Sequence, residues 1–275
     1  MCGRFAASTE PEDIVELFGV SQWEPAQRGS AQRGSARRDS ARRDSVESLV
    51  PGWTPSWNVA PTDPVLVVLE RVPKGGSTPV RQLRQLRWGL VPAWSKSPES
   101  AVKMINARAD TVHEKPSYRQ AFASRRCLLP VDGYYEWQTI ESATGKGRPR
   151  KQPFFVSRVD GAPLALAGLY EFWRDRSVAA DHPAAWLVTC TIVTTEAEPL
   201  LAPVHERMPL FLQPESFADW LDPGLDDPEQ ARALLVAPRP GLLALTPVSA
   251  AVGSIRNNHP GLTERTTPET EGALF

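Results

Sequence analysis

Short apolar runs separated by proline, glycine and aspartate constrain the fold of this chain more than any other feature. The predicted strands are Val65–Leu69, Leu83–Leu90, Arg126–Val131, Tyr134–Ile140, Phe154–Arg158, Leu164–Phe172, Trp186–Thr194, Pro209–Leu212 and Leu242–Val248. Strands that follow one another without long intervening helices favour antiparallel pairing. We therefore predict an α+β fold, in which mainly antiparallel sheets form a barrel-like core with a few flanking helices.

A small number of segments have the pattern of a helix. The predicted helices are Thr9–Phe18, Pro116–Phe122, Glu215–Leu221 and Pro228–Val236. In the first of them, Thr9 and Glu12 have the spacing of a capping box, so we predict that the Thr9 side chain caps the helix. Gly19 follows the apolar residues, at a point where a left-handed conformation can end the helix.

One segment interrupts this pattern with a low-complexity repeat. Residues Ala26–Ser45 read AQRGS AQRGS ARRDS ARRDS, without an aromatic or branched aliphatic side chain. Because such a segment cannot bury apolar surface, we predict a disordered Arg/Ser-rich loop insertion at 24–48 within a single domain spanning 1–265. The alternative is that its arginines assist nucleic-acid binding. Residues Glu141–Gln152 are predicted to form a polar hairpin tip, and residues 266–275 a flexible tail.

Charge and hydropathy restrict the class of protein. The 31 lysines and arginines are balanced by 32 aspartates and glutamates, giving a net charge of −1. This balance excludes a general electrostatic nucleic-acid binder, so any nucleic-acid site must be a local basic groove. No apolar run reaches the roughly 20 residues of a membrane span, and the amino terminus lacks a signal-peptide pattern. We therefore expect a cytoplasmic protein with no membrane partner.

The spacing of cysteine and histidine argues against a metal centre. The chain has 3 cysteines and 4 histidines, and they form neither a CxxC pair nor an HxxxH pair. We predict no bound metal and no cofactor. Cys127 and Cys190 lie in apolar, strand-like runs, so we predict that both pack in the core.

Cys2 differs from the other cysteines because removal of Met1 would make it the mature amino terminus. A terminal cysteine carries an amine and a thiol with reference pKa values of about 7.7–8.0 and about 8.5, so both are partly deprotonated near neutrality. The amine can condense with an aldehyde to an imine, and the thiolate can then close a thiazolidine ring. The alternative is that Cys2 merely follows the initiator methionine.

Short motifs extend along most of the chain from this cysteine onwards. They read, in order, MCGRF, WNVAPT, RWGLVPAW, NARADT, RCLLPVDGYYEW and HERMPLFL. Together they resemble the SOS-response-associated peptidase family, and the resemblance runs from residue 2 to about residue 262. It implies that the mature terminal cysteine crosslinks covalently to abasic sites in single-stranded DNA. Self-removal of Met1 and a lyase activity are the associated reactions.

The resemblance also implies the roles of four catalytic residues. Cys2 is the crosslinking residue, and Asn106 positions its amine. Glu136 shuttles protons during imine formation and sugar ring-opening, and His205 acts as an acid or base at the sugar.

A second set of residues is implied to bind DNA. These residues are Arg4, Asn58, Trp88, Pro92, Arg108, Thr195 and Arg207. Arg108, Thr195 and Arg207 are expected to contact phosphate, whereas Trp88 and Pro92 resemble an apolar wedge against which bases stack.

Two positions depart from the family pattern. Asp110 stands where glutamate is usual, which is a conservative change. Glu198 stands where asparagine is expected, and a carboxylate there could repel phosphate, which puts the role of Thr195 in doubt.

The residue types themselves support acid–base chemistry. A carboxyl group set among aromatic residues, as Glu136 is in DGYYEW, has its pKa raised by desolvation towards neutrality. A histidine such as His205 suits the same work. Taken singly, Glu136 could instead be a solvent-facing strand residue, His205 a structural loop residue and Asn106 a turn residue.

Three other functions compete with abasic-site crosslinking. An N-terminal-nucleophile amidohydrolase also uses a terminal cysteine, but the Asn-Gly pair of its oxyanion site does not occur here. A noncovalent reader of single-stranded DNA would need the groove and not Cys2. General proteolysis of other proteins lacks any recognisable peptide-binding subsite. We expect a nucleoid-associated monomer that binds abasic single-stranded DNA, with the replication machinery as a candidate further partner.

Overall fold

The computed structural model describes residues 2–23, 50, 52–141 and 149–267. Its strands are β1 (Phe5–Ala7), β2 (Gln22–Trp23), β3 (Ser56–Val59), β4 (Pro64–Arg71), β5 (Val80–Trp88), β6 (Asn106–Arg108), β7 (Arg126–Val131), β8 (Gly133–Ile140), β9 (Arg150–Arg158), β10 (Leu164–Arg174), β11 (Trp186–Glu196), β12 (Arg207–Pro209), β13 (Phe211–Leu212) and β14 (Leu243–Pro247). Its α-helices are α1 (Pro11–Leu17), α2 (Arg119–Ser124), α3 (Phe217–Leu221) and α4 (Pro228–Ala233).

Several predicted features lie outside the described residues. They are Met1, the insertion at 24–48, residues 142–148 of the hairpin tip and residues 268–275 of the tail. Within the described ranges, no helix is long and apolar enough to cross a membrane.

Five strands close into a barrel. They follow the order β11-β10-β7-β4-β5, and β5 then pairs in parallel with β11, where Trp88 lies opposite Cys190. A second, antiparallel sheet has the order β14-β9-β8-β1-β3. The predicted α+β fold of mainly antiparallel sheets with a barrel-like core is confirmed. The short parallel pairings of β11 with β5 and β6 were not predicted.

Alternating residues of the barrel strands face two separate apolar clusters. On β4, Val67 belongs to one cluster, which fills the barrel, whereas Val68 belongs to another, which includes residues of the surrounding helices. This alternation is the expected consequence of strand geometry. Cys127 and Cys190 are fully buried in the barrel cluster, which confirms their predicted core packing. The same cluster includes Cys2, so the amino terminus packs against the barrel interior.

Gly168 allows the strands of this narrow barrel to approach each other closely. A Cβ atom at this position would overlap the side chain of Leu129 and lie 2.9 Å from the carbonyl oxygen of Thr191. Any larger residue at position 168 would therefore push β7 or β11 outwards.

The start of the first helix differs from the prediction. Helix α1 begins at Pro11, and its N-cap Glu10 makes no side-chain cap. The Thr9 hydroxyl instead donates a 2.7 Å hydrogen bond to the carboxylate of Asp132, which also accepts from the hydroxyl and amide of Ser8. The predicted Thr9 cap was wrong because a distant carboxylate takes its side chain. Gly19, with φ of 61°, ends the helix in the predicted left-handed conformation.

Other boundaries shift by a few residues. The predicted strand Pro209–Leu212 is split into β12 and β13, which pair with β11 and β10 respectively. The helix predicted at Pro116–Phe122 begins later, at Arg119. Strands β1, β2, β3 and β6 were not predicted, because each is too short to show a pattern.

Candidate active site

The amino terminus is held by pairing between β1 and β8. Phe5 lies opposite Tyr134, and the backbone N–H of Tyr135 donates a 2.9 Å hydrogen bond to the carbonyl oxygen of Arg4. This pairing fixes the direction of the chain immediately before β1. The side chain of Cys2 is consequently buried, with no exposed surface.

Burial makes the Cys2 thiol hold its proton. Desolvation raises the pKa of this thiol well above its ordinary value, and negative charge on Glu136 acts in the same direction. The sulfur lies 3.7 Å from the carbonyl oxygen of Arg4, within the range of a weak S–H donor. Because only the thiolate is a strong nucleophile, chemistry at this sulfur needs a base that removes the proton.

Asn106 grips the backbone of Cys2. Asn106 is the first residue of β6, opposite Ile192 of β11, and its side-chain Nδ2 donates a 2.8 Å hydrogen bond to the carbonyl oxygen of Cys2. The Asn106 carbonyl oxygen accepts a 3.1 Å bond from the Tyr118 hydroxyl, which fixes the strand from the other side. The buried Oδ1 atom of Asn106 has no hydrogen-bond partner within the described ranges. It is therefore an acceptor available to an amine at the same end of the chain.

Glu136 supplies a buried carboxyl group on β8. Only 6% of the residue is exposed. Desolvation raises the pKa of this carboxyl group, and the positive charges of the amino terminus and His205 oppose that rise. A carboxyl group in such surroundings exchanges a proton closer to neutrality than an exposed glutamate does.

His205 is oriented by its own loop. The Nδ1 atom accepts a 2.9 Å hydrogen bond from the backbone N–H of Arg207, and it also lies 3.1 Å from the carbonyl oxygen of that residue. Because the N–H group can only donate, Nδ1 carries a lone pair when the ring is neutral, and the proton resides on Nε2. The loop is closed by a 3.0 Å bond from the His205 N–H to the carbonyl oxygen of Leu201. The half-buried imidazole thus has a defined tautomer and interacts electrostatically with Glu136.

Three of the predicted phosphate ligands lie along one cleft, which has a volume of about 300 Å³. Its lining residues are Ala109, Asp110, Thr195, Glu196, Arg207, Arg232 and Leu235. Arg108 donates to Asp110 at 2.6 Å and is exposed, so its guanidinium reaches the same rim. Arg207 is buried and donates to the Thr194 carbonyl oxygen at 2.6 Å. The sequence interpretation missed Arg232, whose position on α4 gave no motif to find it by.

The predicted groove residues Arg4 and Asn58 form a structural link. The Arg4 guanidinium donates to Asn58 Oδ1 at 2.7 Å and to the Val252 carbonyl oxygen at 3.1 Å. The Asn58 Nδ2 atom donates to the carbonyl oxygens of Ser254 and Asn257 at 2.9 and 2.8 Å. Since Asn58 is buried and both ends of its amide are bonded, it secures the 252–257 segment and offers no free group to DNA.

The predicted apolar wedge also needs correction. Trp88 has no exposed surface, packs 4.7 Å from the Phe5 ring and donates from its indole nitrogen to the Ile105 carbonyl oxygen at 3.0 Å. Pro92 is buried as well. Trp88 therefore belongs to the barrel core, where no base can reach its ring. Trp94, in the same motif, is 67% exposed and is the aromatic residue that can stack with a base.

The fold and the site together define a barrel protein built around its own amino-terminal cysteine. The chain belongs to the SOS response associated peptidase (SRAP) family, whose model matches residues 1–255. It is 35% identical over 264 residues to the abasic site processing protein YoqW of Bacillus subtilis, covering 96% of this chain and 99% of YoqW. It is 29% identical over 258 residues to the abasic site processing protein YedK of Escherichia coli, covering 94% of this chain and 96% of YedK.

Solved structures support the same fold. A protein from Bacteroides thetaiotaomicron superposes with a TM-score of 0.70 at 22% identity, covering 97% of this chain and all of the other. A phage-related protein from Bordetella bronchiseptica superposes with a TM-score of 0.57 at 27% identity, covering 90% of this chain and 94% of the other.

Proposed function

We propose that this chain forms a covalent thiazolidine crosslink with abasic sites in single-stranded DNA through Cys2, after Met1 has been removed. The observation that carries the proposal is the 2.8 Å hydrogen bond from Asn106 to the Cys2 carbonyl oxygen, beside an acceptor that the described residues leave unpaired. An amide that grips the terminal residue in this way has an evident use if the amine of that residue reacts.

The relatives indicate the substrate class. The chain is similar over nearly its whole length to proteins named for abasic site processing, so its function concerns abasic DNA. The cleft at Thr195 and Arg207 supplies arginine side chains suited to phosphate, and the exposed Trp94 supplies a stacking surface. An opened abasic sugar carries the aldehyde that a terminal cysteine needs.

The proposed chemistry conserves atoms and charge. The Cys2 amine adds to the sugar aldehyde, and the resulting carbinolamine loses water to give an imine. Glu136 accepts the proton from nitrogen and returns one to the departing hydroxyl group, which its raised pKa suits. The Cys2 sulfur then bonds to the imine carbon, and the nitrogen regains its electron pair. His205 serves the sugar oxygens during ring-opening through its Nε2 proton.

Two associated reactions extend the proposal. The same groups, with Asn106 and Glu136 beside the first peptide bond, support self-removal of Met1. An imine at an abasic sugar also promotes loss of the neighbouring phosphate, which is a lyase reaction. We propose that the protein acts in the cytoplasm as a monomer. The noncovalent reader is the competing account of the same groove.

A denaturing gel distinguishes these accounts. Wild-type protein incubated with abasic single-stranded DNA is expected to give a slow-migrating species that survives denaturant, and Cys2→Ala is expected to give none. A tetrahydrofuran analogue of the abasic site, which lacks the aldehyde, should also give none. Cys127 and Cys190 remain in the Cys2→Ala protein, so they report any reaction of other thiols. A wild-type complex that dissociates in denaturant would support the noncovalent reader and exclude the proposal.

A further inference from the structure

Two buried polar groups near Cys2 have no use in the chemistry described above. The Tyr134 hydroxyl lies in a residue that is 2% exposed, and Glu198 is 7% exposed. Neither the Tyr134 hydroxyl nor the Glu198 Oε1 atom has a hydrogen-bond partner among the residues that the structure describes. Unpaired polar groups in a protein interior are unfavourable, so each calls for an explanation.

Both groups face the reactive end of the chain. Tyr134 and Glu136 are two residues apart on β8 and therefore lie on the same face of the sheet. Tyr134 and Cys2 belong to the same apolar cluster. Tyr134 also interacts electrostatically with Cys2, Glu136 and Glu198.

Glu198 is held in place at the start of the loop that carries His205. Its carbonyl oxygen accepts hydrogen bonds from the N–H groups of Leu201 and Ala202 at 2.9 and 3.0 Å. Its carboxylate accepts one from the backbone N–H of Gly241. Desolvation raises the pKa of this carboxyl group, which makes its ionised form a stronger base than an exposed glutamate. One carboxylate oxygen is thus anchored, and the other is left for a proton.

We propose that Tyr134 and Glu198 form a second proton-transfer pair, which removes the thiol proton of Cys2 when the sulfur closes the thiazolidine ring. The Tyr134 oxygen takes the proton from sulfur and passes its own proton to the Glu198 carboxylate. The sulfur then bonds to the imine carbon, and the positive charge of the protonated imine is neutralised. Glu198 later releases the proton to solvent. The pair serves ring closure only, whereas Glu136 serves formation of the imine.

This inference rests on the proposed function, and kinetics separate the two. In rapid-quench experiments on abasic single-stranded DNA, borohydride traps the imine, whereas the closed thiazolidine resists it. Tyr134→Phe is expected to form imine at the wild-type rate and to close the ring about 10²-fold more slowly. Glu198→Gln keeps the bond from Gly241 and is expected to give the same accumulation of imine. It should also remove one ionisation from the pH profile of ring closure.

Tyr135→Phe is the matched control, because the Tyr135 hydroxyl is bonded to the Trp57 carbonyl oxygen at 2.7 Å on the opposite face. It should lower the melting temperature and leave the ratio of imine to thiazolidine unchanged. Tyr134→Phe should raise the melting temperature, since it removes an unpaired hydroxyl. Wild-type ring closure in both Tyr134→Phe and Glu198→Gln would overturn the inference and leave the proposed function intact. Absence of any adduct with wild-type protein would instead refute the proposed function.

Discussion

The side-chain amide of Asn106 donates a 2.8 Å hydrogen bond to the carbonyl oxygen of Cys2. The two residues are 104 positions apart in the chain, and they meet because β6 is attached to the barrel strand β11. A residue on the barrel thereby fixes the end of the chain, whose own strand β1 belongs to the other sheet. Reactivity at Cys2 should therefore depend on Asn106 through position and not through charge.

Asn106→Ala is expected to slow crosslinking on abasic single-stranded DNA by about tenfold, since one hydrogen bond contributes about 0.5–1.5 kcal/mol. The rate is measured under single-turnover conditions on a denaturing gel. The amide of Asn257, which donates to the Ala251 carbonyl oxygen at 2.8 Å away from Cys2, offers a control. Asn257→Ala should keep the wild-type rate, and an equal loss in both variants would argue against a specific role for Asn106.

Glu136→Gln is expected to change how stability depends on pH. Because desolvation raises the pKa of Glu136, the folded protein retains this proton to a higher pH than the unfolded chain does. The stability contributed by the proton is full below the unfolded pKa and is lost as pH rises through the folded pKa. Glu136→Gln should remove that loss, so its melting temperature should gain on wild type as pH rises above the carboxyl range. Parallel melting curves for the two proteins across this range would contradict the assignment.

Asn58→Ala tests the structural role that replaces the predicted DNA contact. The substitution leaves the guanidinium of Arg4 and the carbonyl oxygens of Ser254 and Asn257 without their partner. Urea denaturation should show a loss of about 1–3 kcal/mol in the free energy of unfolding. Affinity of the folded protein for single-stranded DNA should stay unchanged, whereas a DNA contact would produce the reverse result.

Trp94 and Trp88 should respond in opposite ways to replacement by alanine. Trp94→Ala is expected to weaken DNA binding by about 1–3 kcal/mol, because base stacking on an aromatic residue has that magnitude, and to leave stability unchanged. Trp88→Ala should destabilise the fold by about 3–5 kcal/mol, because it empties part of the barrel core. Fluorescence titration and denaturation measure the two effects. Equal DNA affinity of Trp94→Ala and wild type would exclude Trp94 from the groove.

The sequence predicted the barrel better than it predicted the contacts within it. Strands such as β4 were predictable because their apolar runs are local and bounded by turn residues. The core position of Trp88 could also have been found, since Leu86 lies two residues earlier on the same face. The fate of Thr9 could not be predicted, because its partner Asp132 lies 123 residues away.

The chemistry of the site was predictable to a similar degree. The special nature of Cys2 follows from its position, and the aromatic neighbours of Glu136 foretold a carboxyl group with a raised pKa. The unpaired hydroxyl of Tyr134 and the burial of Glu198 depend on how β8 and the loop after β11 pack together. A property of that kind arises from tertiary structure and leaves no mark in a local pattern.

The most direct test of the account is the intact mass of the purified protein before and after incubation with an abasic single-stranded oligonucleotide, followed by peptide mapping. The account predicts that the reactive protein lacks Met1. Its adduct should have the mass of protein plus DNA minus one water, with the modification located on the peptide that begins with Cys2. An adduct that retains Met1, or one that maps to any other residue, would contradict the thiazolidine mechanism.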